Sequence, residues 1–295
     1  MPRPPVVFVG VATRDTITLV DRFPEPDERI VADELVHAGG GPAATAAVAA
    51  TRLGVAAAFV GAVGDDEDGD EIVAELAAEG VDTSGVERVP GTPSAVSVVV
   101  VDARRATRAI VHRPGPGCDL GRRGRELVEA AEWVHVDHAG WGAVHRWWRT
   151  STPRPRLSID AGNPIDDFSP DGIDLFVPTV GALRQRYGPA DIDTLLALAG
   201  AEGARLVVAT DGADGAYALR EDRLFHVPGH RGDVRSTLGA GDVYHGALLA
   251  RIVQGCSLPD AMTDAGQVAF LSCRGLDGRS AIPTLDQLLP DRSSS

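Results

Sequence analysis

The sequence predicts an α/β fold: a doubly wound, mostly parallel sheet with helices on both faces, plus a small β-sheet lid. Three observations point there. Short, wholly apolar runs alternate with helical patterns along most of the chain, as parallel strands joined by crossover helices require. Two stretches break that rhythm by alternating polar and apolar residues around turn signals. The composition, 44% hydrophobic and 24% charged over 295 residues, is that of a globular chain long enough for one large α/β unit with an insertion.

Taken in order, the strand candidates are residues 6–9, 57–60, 133–136, 157–159, 175–177 and 206–209, apolar throughout as suits strands covered on both faces. A helix over 42–53 opens with Pro42 in its first turn and stops at Gly54. A second over 68–78 carries Asp and Glu in its first turn, where they favour the helix dipole, and ends before Gly80. The alternating stretches, 13–20 with 29–37 and 95–101 with 107–112, suit antiparallel strands with one wet face. The expected organisation is therefore an α/β core of residues 1–12, 38–93 and 114–290, a discontinuous β lid of 13–37 and 94–113, and a disordered tail at 291–295. No internal repeat is evident.

Charge narrows the function. The net charge is −14, and every one of the 28 basic residues is Arg. With no basic run, nucleic acid and anionic membrane are poor partners, whereas a small anion held in a local Arg pocket stays open. No apolar stretch reaches the ~18–20 residues of a membrane span. Residues 1–5 run straight into the first strand, so no signal peptide is read. Cys118, Cys256 and Cys273 are odd in number, widely spaced and outside any metal-ligand pattern, which predicts reduced thiols and a cytoplasmic chain.

The motif richest in chemistry is Thr237-Leu238-Gly239-Ala240-Gly241-Asp242, running into a helical pattern. A small-residue turn at a helix start leaves backbone N–H groups convergent, and the dipole adds to them, so Gly239, Ala240 and Gly241 are candidates for an anion hole that takes a phosphoryl group. A carboxylate there is repelled by phosphate unless it has a task, and the task at hand is to take a proton from an attacking hydroxyl. The plainer alternative is that Asp242 caps the helix. His135, His138 and His145 with Trp141, Trp147 and Trp148 form the most aromatic patch; His-x-x-His spacing invites a metal, but no third ligand accompanies it, and packing is preferred. No metal-ligating residues are assigned. A nicotinamide enzyme is disfavoured because no Gly-x-Gly-x-x-Gly follows the first strand.

These residues resemble the ribokinase-like, or PfkB, carbohydrate kinases, and the resemblance covers nearly the whole chain. The turn above is similar to that family's C-terminal signature, in which the Asp is the catalytic base. Gly10 followed by Asp15 resembles its first substrate-binding strand, and Gly39-Gly40-Gly41-Pro42-Ala43-Ala44-Thr45 through Arg52-Leu53-Gly54 its N-terminal signature. Gly61-Ala62-Val63-Gly64-Asp65-Asp66, Gly80-Val81-Asp82, Thr210-Asp211-Gly212-Ala213-Asp214-Gly215 and Ala281-Ile282-Pro283 follow in the family's order. The resemblance implies a ribokinase-like fold, with ATP at Thr210, Gly212, Gly215, Thr237, Gly239 and Gly241. It implies an acceptor sugar at Asp15, Asp27, Arg29, Gly40, Gly41, Thr45, His112 and Asp242, and a homodimer joined through the lid.

Within the family, the segment from Phe8 to Asp27, and Thr237-Leu238-Gly239 with Gly275-Leu276-Asp277-Gly278, resemble ketohexokinase. The run from Gly39 to Ala50, and Asp242-Val243-Tyr244-His245-Gly246, resemble 6-deoxy-6-sulfofructose kinase. Arg29 and His112 align with positions of that branch's sulfonate pocket, with Arg108 and Arg113 nearby; the alternative is that these are solvated strand charges. A further Arg of that pocket has no counterpart, since the chain reads His138-Ala139-Gly140-Trp141. The implied function is transfer of the γ-phosphoryl of Mg·ATP to a primary hydroxyl, C1, of fructose or a 6-substituted ketohexose. A nucleoside kinase of the same fold and a non-catalytic sugar sensor are the alternatives. Three departures bear on this. Thr45 stands where many members have Asn. Ser236 replaces an Asp that helps to hold a monovalent cation, so potassium activation does not carry over. Neither residue of the family's Asn-x-x-Glu occurs between Thr179 and Ala182, which leaves magnesium to the ATP phosphates and waters.

Overall fold

A computed structural model describes residues 5–288 except 106, 221 and 222. The chain runs β1 (Val6–Val9), β2 (Thr13–Val20), β3 (Glu34–Gly40), α1 (Pro42–Arg52), β4 (Ala57–Gly64), α2 (Glu67–Ala78) and β5 (Asp82–Val89). It continues with β6 (Val96–Asp102), β7 (Thr107–Arg113), α3 (Gly121–Ala130), β8 (Trp133–Val136), α4 (Trp141–Thr150), β9 (Arg156–Asp160) and β10 (Leu175–Val177). Last come α5 (Val180–Tyr187), α6 (Ile192–Ala201), β11 (Val208–Thr210), β12 (Ala216–Arg220), β13 (Arg223–Val227), α7 (Ala240–Val253), α8 (Leu258–Ser272) and α9 (Leu285–Leu288).

The core is a six-stranded parallel sheet in the order β10-β9-β8-β1-β4-β5. Single bridges at Phe176–Val207 and Thr179–Thr210 join β10 to an antiparallel meander, β11-β12-β13. Period-two alternation explains why the central strands are apolar throughout. Val6 and Phe8 of β1 enter one core layer and Val7 and Val9 the other; Ala57 and Phe59 of β4 divide from Ala58 and Val60 in the same way. The first layer packs α1, α2, α7, α8 and α9 on the sheet, the second α3 to α6. Helix α1 buries eight consecutive residues, Ala43 to Ala50, six of them Ala. That near absence of side-chain bulk lets α7 come so close that a Cβ on Gly246 would lie 2.1 Å from the Ala46 carbonyl oxygen.

Strand order reverses at β1, which lies between β8 and β4, so the crevice of this doubly wound sheet opens beyond the C-terminal ends of β1 and β8. A second sheet, β3-β2-β6-β7, stands beside that crevice. Its inner residues Ile17, Val99 and Val101 pack on Leu276, with Leu238 alongside.

Several expectations are corrected. Residues 29–33 are not strand; β3 begins only at Glu34. The small sheet is not wholly antiparallel, because β2 and β6 run parallel, which the crossover through α1, β4, α2 and β5 makes possible. The edge strand β5 and the hairpin β12-β13 were not foreseen, being too polar or too mixed to read as core strands. The tail at 291–295 lies outside the described residues.

Candidate active site

The turn before α7 is built from backbone. The Arg235 and Ser236 N–H groups donate to the Cys273 carbonyl at 2.8 and 3.2 Å, and the Leu238 N–H donates to Ser236 Oγ at 3.1 Å. Gly239 then turns left-handed, with φ 71° and ψ 0°, to start the helix. Any Cβ there would sit 3.0 Å from Gly278 Cα, so glycine meets both a conformational and a steric demand. No side chain caps the helix, and a Cβ on Gly241 would have nothing within 4 Å. The first-turn N–H groups therefore open onto free space at the positive end of a 14-residue helix.

Asp242 is the third residue of that helix and not its cap. Half-buried, its carboxylate makes no hydrogen bond among the described residues. Its pKa lies well above the usual carboxylate range; burial is the main cause, and the charges of Asp160 and Asp137 add to it, against Arg108 and Arg279. An acid of raised proton affinity facing an anion cradle is suited to accept a proton from a hydroxyl.

Its two acidic neighbours come from strand ends at the switch point. Asp137, directly after β8 and fully buried, accepts four backbone N–H groups: Val11 at 2.9 Å and Ala43 at 3.2 Å on Oδ2, Ala139 at 2.8 Å and Gly140 at 2.9 Å on Oδ1. It ties the end of β1 to the starts of α1 and α4, and a Cβ on Gly10 would collide with it at 2.2 Å. Burial pushes its pKa up, opposed by those N–H donors. Asp160 ends β9, accepts the Gly162 N–H at 2.7 Å, and lies 3.5 Å from His245 Nδ1.

The other wall is the small sheet. Asp15, 7% exposed, accepts from Thr13 Oγ1 at 2.7 Å and presses on Gly40, where a Cβ would meet it at 2.1 Å. Burial raises its pKa, while Thr13, Ser97, Arg279 and His112 pull the other way. His112 reaches Ser97 Oγ at 3.3 Å. Beneath them Arg279, 7% exposed, donates from Nε to Thr45 Oγ1 at 3.1 Å and from Nη2 to the Gly40 carbonyl at 2.6 Å. Thr45 Cγ2 in turn lies 3.6 Å from where a Gly239 Cβ would be, so the sugar-side residues adjoin the phosphate turn.

The structure thus brings together Asp15, Gly40, Thr45, His112, Gly239 and Asp242. Gly41, at φ 92°, caps α1 beside them. Thr210 ends β11, and Gly212 and Gly215 lie in the tight turn that follows, where Gly215, at φ 99°, has no room for a Cβ, which would fall 2.0 Å from the Val227 carbonyl oxygen. Asp27 and Arg29 are not brought in. Both are exposed in the loop after β2 and bond to nothing among the described residues. That loop leaves β2 at Val20, five residues past Asp15. The aromatic patch is packing: Trp141 and Trp148 are buried in the second core layer, and Trp148 Nε1 donates to the Pro155 carbonyl at 2.8 Å. Sequence reasoning passed over Asp137, Asp160 and Arg279. The first two were findable as acids ending apolar strands beside the switch point. Arg279 sits unmarked between two recognised motifs.

A backbone anion cradle, a proton-accepting carboxylate within it and a carboxylate-lined wall beside it define a phosphotransferase acting on a hydroxyl. Residues 4–143 and 157–285 match the model of the pfkB family carbohydrate kinases, and the chain belongs to that family; its acceptor is a sugar hydroxyl. It is 27% identical over 300 residues to the deoxyribokinase of Salmonella typhi, covering 96% of each chain. To the ketohexokinase of Mus musculus it is 26% identical over 306 residues, covering 92% of this chain and 98% of that one. The solved ribokinase of Giardia lamblia shares the fold with a TM-score of 0.85 at 19% identity, covering 99% and 100% of the two chains. The Arabidopsis thaliana ribokinase complexed with ribose and ATP does so with a TM-score of 0.81 at 23% identity, covering 98% of each.

Proposed function

We propose that this chain transfers the γ-phosphoryl of Mg·ATP to the C1 primary hydroxyl of a ketohexose, fructose or a 6-substituted derivative. The observation that carries the kinase chemistry is Asp242, set in the uncapped helix N-terminus and joined through Thr45 and Arg279 to the Asp15 wall. The ketose assignment is supported by the ketohexokinase-like residues around Thr237 and Gly275 and by the likeness to ketohexokinase.

In this reading Asp15 accepts hydrogen bonds from the sugar's hydroxyls and holds it against Gly40. Asp242 takes the proton of the attacking hydroxyl as its oxygen bonds to phosphorus. The bond from the γ-phosphorus to the bridging oxygen breaks, and its electron pair leaves with ADP. The N–H groups of Gly239 to Asp242 stabilise charge on the transferring group, and positioning supplies most of the rate. The open space at Gly241 fits a phosphate. Magnesium would be carried in by ATP, with Asp242 and Asp160 as carboxylates available to its waters. Magnesium, when bound, neutralises phosphate charge. The small sheet serves as a lid that keeps water from the phosphoryl group. Three unpaired cysteines support a cytoplasmic setting, and exposed apolar residues on the lid's outer face support a homodimer.

The test is ADP release from the purified chain with fructose, 6-deoxy-6-sulfofructose, ribose, deoxyribose and adenosine in parallel, with Asp242→Asn as control. Turnover on a ketose that disappears in the control is the expected result. Preference for ribose, deoxyribose or adenosine would overturn the ketose assignment, and sugar binding without ADP release would make the chain a sensor.

A further inference from the structure

The catalytic acids stand at the C-terminal ends of the sheet strands. At the N-terminal ends the same elements border a cavity of about 310 Å³. Trp133 and Arg156, cross-strand partners, open β8 and β9. Asp137 and Asp160 lie four residues further along, roughly 13 Å at ~3.3 Å per residue. Ile252, in the last turn of α7, is ten residues and about 15 Å from Asp242. The cavity is therefore separate from the anion cradle.

Its floor is apolar: Trp133 is buried, and Leu206 and Ile252 are half-buried. Over it stand the exposed guanidiniums of Arg156, Arg205 and Arg220, with Asp174 as the carboxylate of the wall. Arg205 Nη1 lies 3.3 Å from Asp174 Oδ1, and the other oxygen of that carboxylate accepts the Leu157 N–H at 2.9 Å. Arg156 gives Nη2 to Glu132 and lays its guanidinium carbon 4.5 Å from the Trp133 ring centroid. The remaining N–H donors of these two forks bond to nothing among the described residues. Trp133 Nε1 is likewise a buried donor without a partner among them. The groups left over are donors, and the cavity is short of acceptors. Solvated ion pairs alone, usually of little energetic weight, would need no apolar hollow beneath them.

We propose that this cavity is a second binding site, for a small phosphate monoester with an apolar body of about one ring. Its volume falls at the lower end of the ~300–1,000 Å³ of small-molecule pockets. Two guanidinium forks on separate segments call for more than two acceptor oxygens; a phosphate monoester offers three, a carboxylate two. The Trp133 ring holds the Arg156 fork in place before a ligand arrives, which lowers the cost of ordering it. The body of the ligand covers Leu206 and Ile252. No covalent bond is made or broken, and the site does not depend on the kinase reading.

The probe is phenyl phosphate, titrated calorimetrically into the full chain, with benzoate and inorganic phosphate as arms that change the head or remove the body. Wild type should bind one phenyl phosphate with an affinity that saturating Mg·ADP leaves unchanged. Benzoate and inorganic phosphate should each bind at least about fivefold more weakly. Arg205→Gln and Arg156→Gln, both at exposed positions, should each weaken phenyl phosphate about tenfold. Their circular dichroism and Mg·ADP affinity should stay as in wild type. Displacement of phenyl phosphate by Mg·ADP overturns the proposal, because it places the phosphate in the catalytic cradle. So does equal affinity in wild type and both variants, or no binding up to ~10 mM. Benzoate binding as tightly as phenyl phosphate overturns the phosphate head, and inorganic phosphate doing so overturns the apolar body. A chain that binds no Mg·ADP fails the kinase reading, and the comparison of variants still decides this one.

Discussion

Asp242 carries a conflict between stability and activity. Burial and the charges of Asp160 and Asp137 hold its folded pKa above the unfolded value, so the folded chain keeps that proton to higher pH than the unfolded chain does. Stability is therefore lost as pH rises from the ordinary carboxylate range through the folded pKa, and an amide at this position escapes the loss. Asp242→Asn should lower kcat by roughly 10²–10⁴ yet raise unfolding stability by about 1 kcal/mol at pH 8. The gain should vanish as the pH falls towards ~4, and urea unfolding of both proteins across that range checks it. Arg279 is the opposite case. It is buried among the charges of Glu75, Asp15, Glu79 and Asp242, and it satisfies Thr45 and the Gly40 carbonyl. Arg279→Met should cost about 3 kcal/mol, since it strands buried charge and a carbonyl, and the sugar KM should rise as Gly40 and Thr45 lose their support. Asp242 was legible in the sequence because its spacing from three small residues has a local physical meaning. Arg279 was not, because its role depends on α1, 234 positions away in the chain at Thr45.

At the scale of elements, the turn before α7 depends on Gly239 and the junction between the core and the small sheet on Asp66. Gly239→Ala places a β-carbon in the left-handed region and against Gly278, and should reduce kcat at least about tenfold by misaligning the cradle. Asp66 caps α2 through the Gly69 N–H at 2.9 Å and also accepts from the Ser94 N–H at 2.8 Å, while Ser94 Oγ in turn accepts the Gly64 N–H at 2.8 Å. One carboxylate thus joins the ends of β4 and α2 to the entry of β6. Asp66→Ala should cost ~2 kcal/mol, measured by denaturant unfolding with activity as a second readout. The elements legible in the sequence were those buried on both faces or begun by a strong signal, such as β1, β8 and the Pro42 start of α1. Strand β5 escaped because its pattern Asp82 to Val89 buries only Gly85 fully; an edge strand needs half the apolar code of a central one. The stretch around Arg29 read as strand because its alternation is real, but Pro24, Pro26 and a left-handed Asp27 delay pairing until Glu34.

At the scale of the whole molecule, the lid has a dry inner face and an outer face that is not polar enough for solvent. Val98 and Val111 are direct cross-strand partners, 49% and 72% exposed, and Leu35 of the opposite edge strand is 59% exposed. Covering such side chains contributes ~1.5–3 kcal/mol each, and a second copy of the same sheet offers a self-complementary surface. Each subunit also carries a net charge of −14, so long-range repulsion opposes pairing and salt screens it. Sedimentation should therefore find twice the 30.8 kDa chain mass at micromolar concentration, with the dimer tightening as salt rises from about 20 to 200 mM. Val111→Glu should give a monomer with unchanged circular dichroism. Val111 lies on β7 between Arg108 and Arg113, so a partner seated there would also hold Arg108 over the turn, where its Nη1 donates to Thr237 Oγ1 at 3.0 Å. The monomeric variant should then lose kcat along with the dimer, whereas a wild type that sediments as a monomer would leave the lid to be held down by Glu34, Arg108 and Leu276 alone.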